Sequence, residues 1–333
     1  MKWDTLCPQF QIFEVDPSED VTGRVPLQIF KGINQGKRRG SGQNVGSLYK
    51  LRDWINKDKI DWYNLTQNPN AISLLEQNFD KINWNGLSKN PNAIHILEKY
   101  PNKINWYFVS SNPNAIRILE KYTDKIYWQY LSSNPNAIPL LEKNVDKINW
   151  YALSLNPNAI HLLEKNLNKI NWCFLSSNPN AVHILEKYPD KIDWDSLSQN
   201  PNAIHLFEQK IDKIKGAYLS ENPNAISLLE QNLNKIKWKY LCLNPNAIPL
   251  LEKYPDKIDW KYLCLNPNAI PLLEKYPDKI DWVWFSINPS IFELDYGFLK
   301  SRMDIIREEL MMKAWHPSRV IKWVEAGFDM EDL

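Results

Sequence analysis

Glycine is scarce in this 333-residue sequence, with 10 in all, and cysteine is scarcer, with 4. So little glycine argues against a loop-rich or collagen-like chain. Cys7, Cys173, Cys242 and Cys264 form no Cys-x-x-Cys pair, so they are expected to be reduced thiols in an intracellular setting. An excess of one charge is also missing. Lys and Arg number 40 against 39 Asp and Glu, a net charge of +1, whereas a general nucleic-acid binder carries a basic excess. No apolar run approaches the ~18 residues of a membrane span, and the first twenty residues contain no apolar leader core. With 44% hydrophobic and 24% charged residues, the composition is that of a folded chain.

What is present is a repeat. The motif Asn-Pro-Asn-Ala returns every 22 residues from Pro69 to Pro267, and Pro289 continues it as Asn-Pro-Ser. Tryptophan keeps the same step from Trp62 to Trp282, with Gly216 at the one missing position. A fixed period of this length marks a solenoid whose units share one core.

Within Asp61–Ile82, Asn68 suits a helix N-cap and Pro69 the first helical position, followed by the apolar face of Ala71, Ile72, Leu74 and Leu75. Asp61 is a second cap candidate before Trp62 and Leu65. That column is Asp or Asn in eight of eleven units, with Tyr127, Lys215 and Lys237 as exceptions. Each unit is therefore expected to hold two short helices, of ~6 and ~10 residues. The longer one ends either at Asn before an apolar residue, as in Asn78-Phe79, or at Tyr before Pro, as in Tyr100-Pro101. The first suits a left-handed Asn cap and the second the restriction proline places on its predecessor.

A leucine-rich repeat is the rival, and Leu153–Ile160 fits its pattern. However, the second Leu of that pattern must face a core, and its column holds Gln67, Lys89, Ser111 and Glu221. The fold class expected is all-α: a right-handed-type α-solenoid of about ten two-helix repeats over 48–289. A non-repetitive N-terminal arm covers 1–47 and a helical C-terminal cap covers 290–333. Ser47–Ile55 reads as an N-terminal capping helix, and Phe298–Lys313 and Pro317–Ala326 as C-terminal helices closing the open end of the core. Units ~10 Å apart would then build a rod-like or gently curved solenoid on the order of 100 Å long.

The Trp column reads as a core ladder. Unbroken columns of Glu (Glu76 to Glu274) and Lys (Lys81 to Lys279) read as a ladder of Glu–Lys pairs joining neighbouring turns. His95, His161, His183 and His205 share a column with Ser, Arg and Pro, the pattern of a solvent-facing site rather than of zinc ligands. Cys242 and Cys264 replace Ser in a small packing column. Neither a phosphate loop nor a nucleophile triad is spelled out, and no cofactor is expected. Residues 239–260 and 261–282 are identical. An array that copies units whole suits a surface or spacer better than a single fixed catalytic constellation.

The unit NPNAIxLLEKNxDKIxWxxLSx resembles repeats abundant in proteins of giant nucleocytoplasmic DNA viruses, of the mimivirus and marseillevirus kind. The tail EELMMKAWHPSRVIKWVEAGFDMEDL resembles a C-terminal segment of such proteins. The resemblance covers 48–333 and implies a viral origin and a scaffold more than an activity. The expected function is a non-enzymatic structural or protein-interaction scaffold. It would be a minor capsid or other virion component bridging neighbouring subunits, found in the virion and host cytoplasm. The alternative is a soluble viral adaptor that binds host proteins. The expected partners are other proteins, capsid proteins of the same particle among them, with no specific nucleic acid. Two places are candidate partner contacts. One is the basic Gly-rich arm with Lys31, Lys37, Arg38 and Arg39. The other is Gly216, where a missing indole leaves room for a bend or a partner side chain.

Overall fold

The computed structural model describes residues 48–207, 210, 213 and 216–326, which belong to one compact unit, Gly46–Leu333. Its repeats are helical throughout, and the strands among the described residues are β1 (Tyr49–Leu51) and β2 (Phe292–Leu294). This is the all-α solenoid, and the leucine-rich alternative falls away because among the described residues no strand lies inside a repeat.

The repeat Asp61–Ile82 consists of helix Trp62–Leu65, a turn, helix Ile72–Gln77 and a 3-10 turn Phe79–Lys81. Asp61 caps the first helix, its carboxylate accepting from Asn64 N at 2.8 Å. Asn83, Asn149, Asn171 and Asp193 repeat the device. Tyr127 and Lys237 cap nothing with their side chains.

Two local expectations are corrected. The Asn-Pro pair does not start the second helix, which begins at Ile72. The Asn68 carbonyl instead accepts from Ala71 N at 3.1 Å, closing a turn with Pro69 in its second position. The ~10-residue helix is also divided, because Asn78 and Tyr100 sit at φ −130° and −127°. Neither is left-handed, and both swing the chain into the 3-10 turn. Asn78 closes the helix through its side chain, Nδ2 donating to Leu74 O at 2.9 Å. Tyr100 closes it by laying its ring 5.6 Å from that of Trp84.

Three apolar columns are fully buried: the Leu65, Ala71 and Leu75 positions and their counterparts around the array. Trp is not among them. It packs against the core while remaining half-exposed, and each ring is covered from within its own repeat. Where the second helix ends in Tyr, the Tyr covers it, as in the pairs Trp106–Tyr122 and Trp172–Tyr188. Where it ends in Asn, Lys swings over instead: Lys81 on Trp62 at 4.2 Å, Lys147 on Trp128 at 4.9 Å and Lys169 on Trp150 at 4.4 Å. The two helix endings are thus two ways of covering one indole.

Neighbouring repeats are joined by polar side chains at the core. Asn90 Nδ2 donates to Thr66 O at 3.0 Å and Asn68 O at 2.9 Å. Asn112, Asn134, Asn156 and Asn178 do the same to the repeat before them, and the series runs on to Asn288. Ser88 donates to Trp84 O and accepts from Asn105 N of the next repeat. The buried Asn amide nitrogens have these partners only when the preceding repeat is present, so stacking is specific as well as apolar.

The ladder has no free end. Asn68, in the first repeat, donates to Ser286 O at 3.1 Å and Asn288 O at 2.8 Å in the last. Asn70 reaches Pro289 O at 3.0 Å, Asp61 N donates to Ser286 Oγ at 2.9 Å, and Lys59 lies over Trp282. These contacts are the ordinary inter-repeat set, so the array closes into a ring, and the expected rod-like or gently curved solenoid with open ends is corrected. The closing unit is composite. Helix Trp282–Phe285 and the turn Pro289–Ile291 come from the C-terminal side, and the 3-10 turn Lys57–Lys59 comes from the N-terminal side. Between them, β1 pairs antiparallel with β2. The helix expected over Ser47–Ile55 is therefore a strand in its first half, because its partner is the chain leaving the last repeat. Arg52 bonds Ser290 O and Glu293, and Trp54 stacks on Phe285 at 5.9 Å.

After β2 the chain is helical over Tyr296–Ala314 and Pro317–Glu325. These helices do not close the core. Met303, Ile306, Leu310 and Met312 are exposed, and closure is achieved by β1 and the Asn ladder.

Candidate functional site

With core and ladder assigned, the exposed columns remain. The Glu column pairs mainly with His of the following repeat rather than with Lys. Glu76–His95, Glu142–His161, Glu164–His183 and Glu186–His205 lie at 2.9–3.1 Å. Lys253–Glu230 at 3.3 Å also joins neighbouring repeats, but Lys253 belongs to a different column from Lys81 to Lys279, so it is not a rung of the expected Glu–Lys ladder. The reason is reach: the neighbouring Lys column is spent partly on covering Trp. These pairs are half-exposed and contribute about 0–1 kcal/mol each. Among the described residues no three His, Cys, Asp or Glu side chains converge on a metal position.

Lys31, Lys37, Arg38 and Arg39 lie outside the described residues. Gly216 is described and buried. A Cβ placed there would overlap the Lys235 carbonyl oxygen, so the backbone of the 3-10 turn Leu233–Lys235 in the same repeat occupies the space where a side chain would start. The glycine permits that approach and does not open a space. Phe207, fully buried where other repeats have Leu, lies 5.5 Å from Trp194.

Cys242 and Cys264 take the Ser position as buried, unbridged thiols. Cys242 Sγ accepts from Asp259 N at 3.4 Å. Burial pushes both thiols up to about 12, so they are packing groups without nucleophilic character.

One inter-repeat groove differs in its lining. Ile104, Asn105, Trp106 and Tyr107 form one wall and Asp124, Lys125, Ile126 and Tyr127 the other, around about 480 Å³. Tyr127 stands where other repeats place a capping Asp or Asn, and it is 50% exposed. Its ring meets Tyr107 edge to face at 5.9 Å and 71°. Tyr107 in turn packs on Phe108 and Tyr130, and the Tyr107 and Tyr130 hydroxyls are hydrogen-bonded. Burial, and then that bond, hold the Tyr130 hydroxyl well above the usual phenol range. Sequence reasoning registers Tyr127 only as an exception to the cap column. Its aromatic setting depends on Tyr107, a full turn of the array away, and so has no local signature.

Comparison with protein families, with curated proteins and with solved structures finds no match to this chain.

Proposed function

We propose that the protein is a non-enzymatic scaffold that holds other proteins, and that it serves as a minor component of a giant DNA virus particle, bridging neighbouring subunits. The observation that supports this reading is the closed Asn ladder. The buried amides Asn68 to Asn288 are committed to the adjoining repeat, which makes the ring a frame whose variation lies in its exposed columns. Such a frame offers many contact positions at fixed spacing, the property a bridging subunit needs. The particle context rests on the resemblance of the repeat and tail to giant-virus proteins, and it carries the expectation of virion and host-cytoplasm location. Quantitative proteomics of purified particles tests it. A constant ratio to the major capsid protein through successive purification steps is expected. Loss of the protein from intact particles, with retention in the host cytosol, would overturn the particle role and favour the soluble adaptor.

A further inference from the structure

We infer that the groove between Tyr107 and Tyr127 binds a proline-rich segment of a partner protein, one that carries a basic residue beside its prolines. The inference deepens the scaffold reading by giving the partner a chemistry.

The first ground is the cost of Tyr127. At eight described positions this column is Asp or Asn, and the side chain caps a helix. At Tyr127 that bond is absent, although losing such a cap destabilises a helix by about 0.5–2 kcal/mol. In exchange a half-exposed ring stands edge to face, at 71°, with a second one, Tyr107, 38% exposed. Nothing in the stacking of repeats requires this, since other repeats stack with Asp or Asn there.

The second ground is how the polar groups are spent. Asn105 Oδ1 accepts from Tyr107 N and Phe108 N, while its Nδ2 donates to Asn85 Oδ1 at 2.7 Å. The Tyr107 hydroxyl bonds Tyr130, and Lys125 pairs with Asp124 at 3.5 Å. A sugar needs many hydrogen-bond partners, and these are already committed to one another. A polyproline II segment needs aromatic surface and few hydrogen bonds, and it arrives with little conformational entropy to lose. The volume of about 480 Å³ suits a short stretch of such a helix better than a folded surface.

The third ground is charge. The Asp124 side chain is 72% exposed, so one carboxylate oxygen is available to a Lys or Arg flanking the prolines. Arg favours it, because its planar fork can bind both oxygens and displace Lys125.

The test is fluorescence anisotropy of a labelled peptide, Arg-Ala-Leu-Pro-Pro-Leu-Pro, titrated with the full chain. Saturable binding is expected. Replacing the prolines by alanine should weaken it at least tenfold, and replacing Arg by Glu at least threefold. Tyr127→Asp restores the cap, so it should keep or raise the thermal midpoint while weakening the peptide at least tenfold. Loss of binding with gain of stability cannot come from misfolding. Tyr107→Leu is the second variant, with the same expected loss of binding. The inference is overturned if the native chain shows no saturable binding, if Tyr127→Asp binds as the native chain does, or if chito- or gluco-oligosaccharides bind the groove and the peptide does not. Each of these leaves particle association untouched, and absence from particles leaves peptide binding untouched, so the two readings fail separately.

Discussion

Asn68 distinguishes a closed ring from an open array, because its amide has partners only if the ends meet. Asn178 is its counterpart deep in the array. It donates to Ser154 O at 2.9 Å and Asn156 O at 3.1 Å and accepts from Asn180 N at 3.0 Å. Asn68 donates to Ser286 O and Asn288 O at 3.1 and 2.8 Å and accepts from Asn70 N at 3.0 Å. Both side chains are 0–1% exposed. Replacing either by Ala removes three hydrogen bonds and leaves two buried carbonyls without that donor, a loss of about 3–5 kcal/mol. In an open array Asn68 Nδ2 would face water. Only the bond to Asn70 N would then be lost, about 0.5–1.5 kcal/mol. Urea unfolding of the two variants, followed by far-UV circular dichroism with the slopes compared, measures the difference. Near-equal destabilisation is expected. A loss of 3 kcal/mol or more at Asn178 with about 1 kcal/mol or less at Asn68 would refute closure.

Further expectations concern the departures from the repeat. Gly216→Trp restores the consensus residue yet should destabilise, and Gly216→Ala should cost about 1–3 kcal/mol, because either side chain meets the Lys235 carbonyl; thermal unfolding decides. Cys242 and Cys264 should resist a thiol reagent at pH 8 until the chain is unfolded. Their folded value of about 12 lies above the ordinary 9.0, so the unfolded chain releases these protons first. Their contribution is full below about pH 9 and is lost as pH rises towards 12, and Cys242→Ser with Cys264→Ser should flatten that part of the pH–stability curve. Removing 296–333 should leave the thermal midpoint nearly unchanged, since Met303, Leu310 and Met312 are exposed. Removing 289–333, which takes β2 and the last Asn-Pro turn with it, should lower the midpoint and speed hydrogen exchange at Asn68 and Asn70.

The helical class, the period and the Asp61-type caps are legible because each depends on residues a few positions apart. Cap chemistry and apolar spacing are local properties, and the fold obeys them. Asn68 defeats the same logic. Read locally, Asn-Pro before Ala-Ile is a helix start; in the ring its carbonyl and Oδ1 make a turn and its amide serves another repeat. The competition between a near and a far partner is decided by stacking, which no 22-residue window contains. The Lys column fails similarly. Its partner is an indole or a carboxylate depending on whether the helix before it ends in Asn or Tyr, a choice visible only once Trp84 and Tyr100 are in space. The groove at Tyr127 combines both difficulties.

Ring closure is legible in hindsight from what the two ends of the array carry. A linear solenoid needs terminal units with a polar outer face to shield its core. This chain has a partial repeat at each end instead. Asn56-Lys57-Asp58-Lys59-Ile60-Asp61-Trp62 matches the back half of a unit, as in Asn144-Val145-Asp146-Lys147-Ile148-Asn149-Trp150, and Asp281 to Pro289 is a front half. The two halves make one unit, and the hydrogen bonds place them as one: Asn68 meets Ser286 and Asn288 as Asn90 meets Thr66 and Asn68. The only part of the closing repeat without a sequence counterpart is its second helix, and there β1 and β2 stand in. A helix built from two chain segments would have no backbone hydrogen bonds across the break, whereas an antiparallel ribbon makes its bonds between segments by construction. Closure therefore requires a strand pair at the one point where the repeat's own helix cannot form.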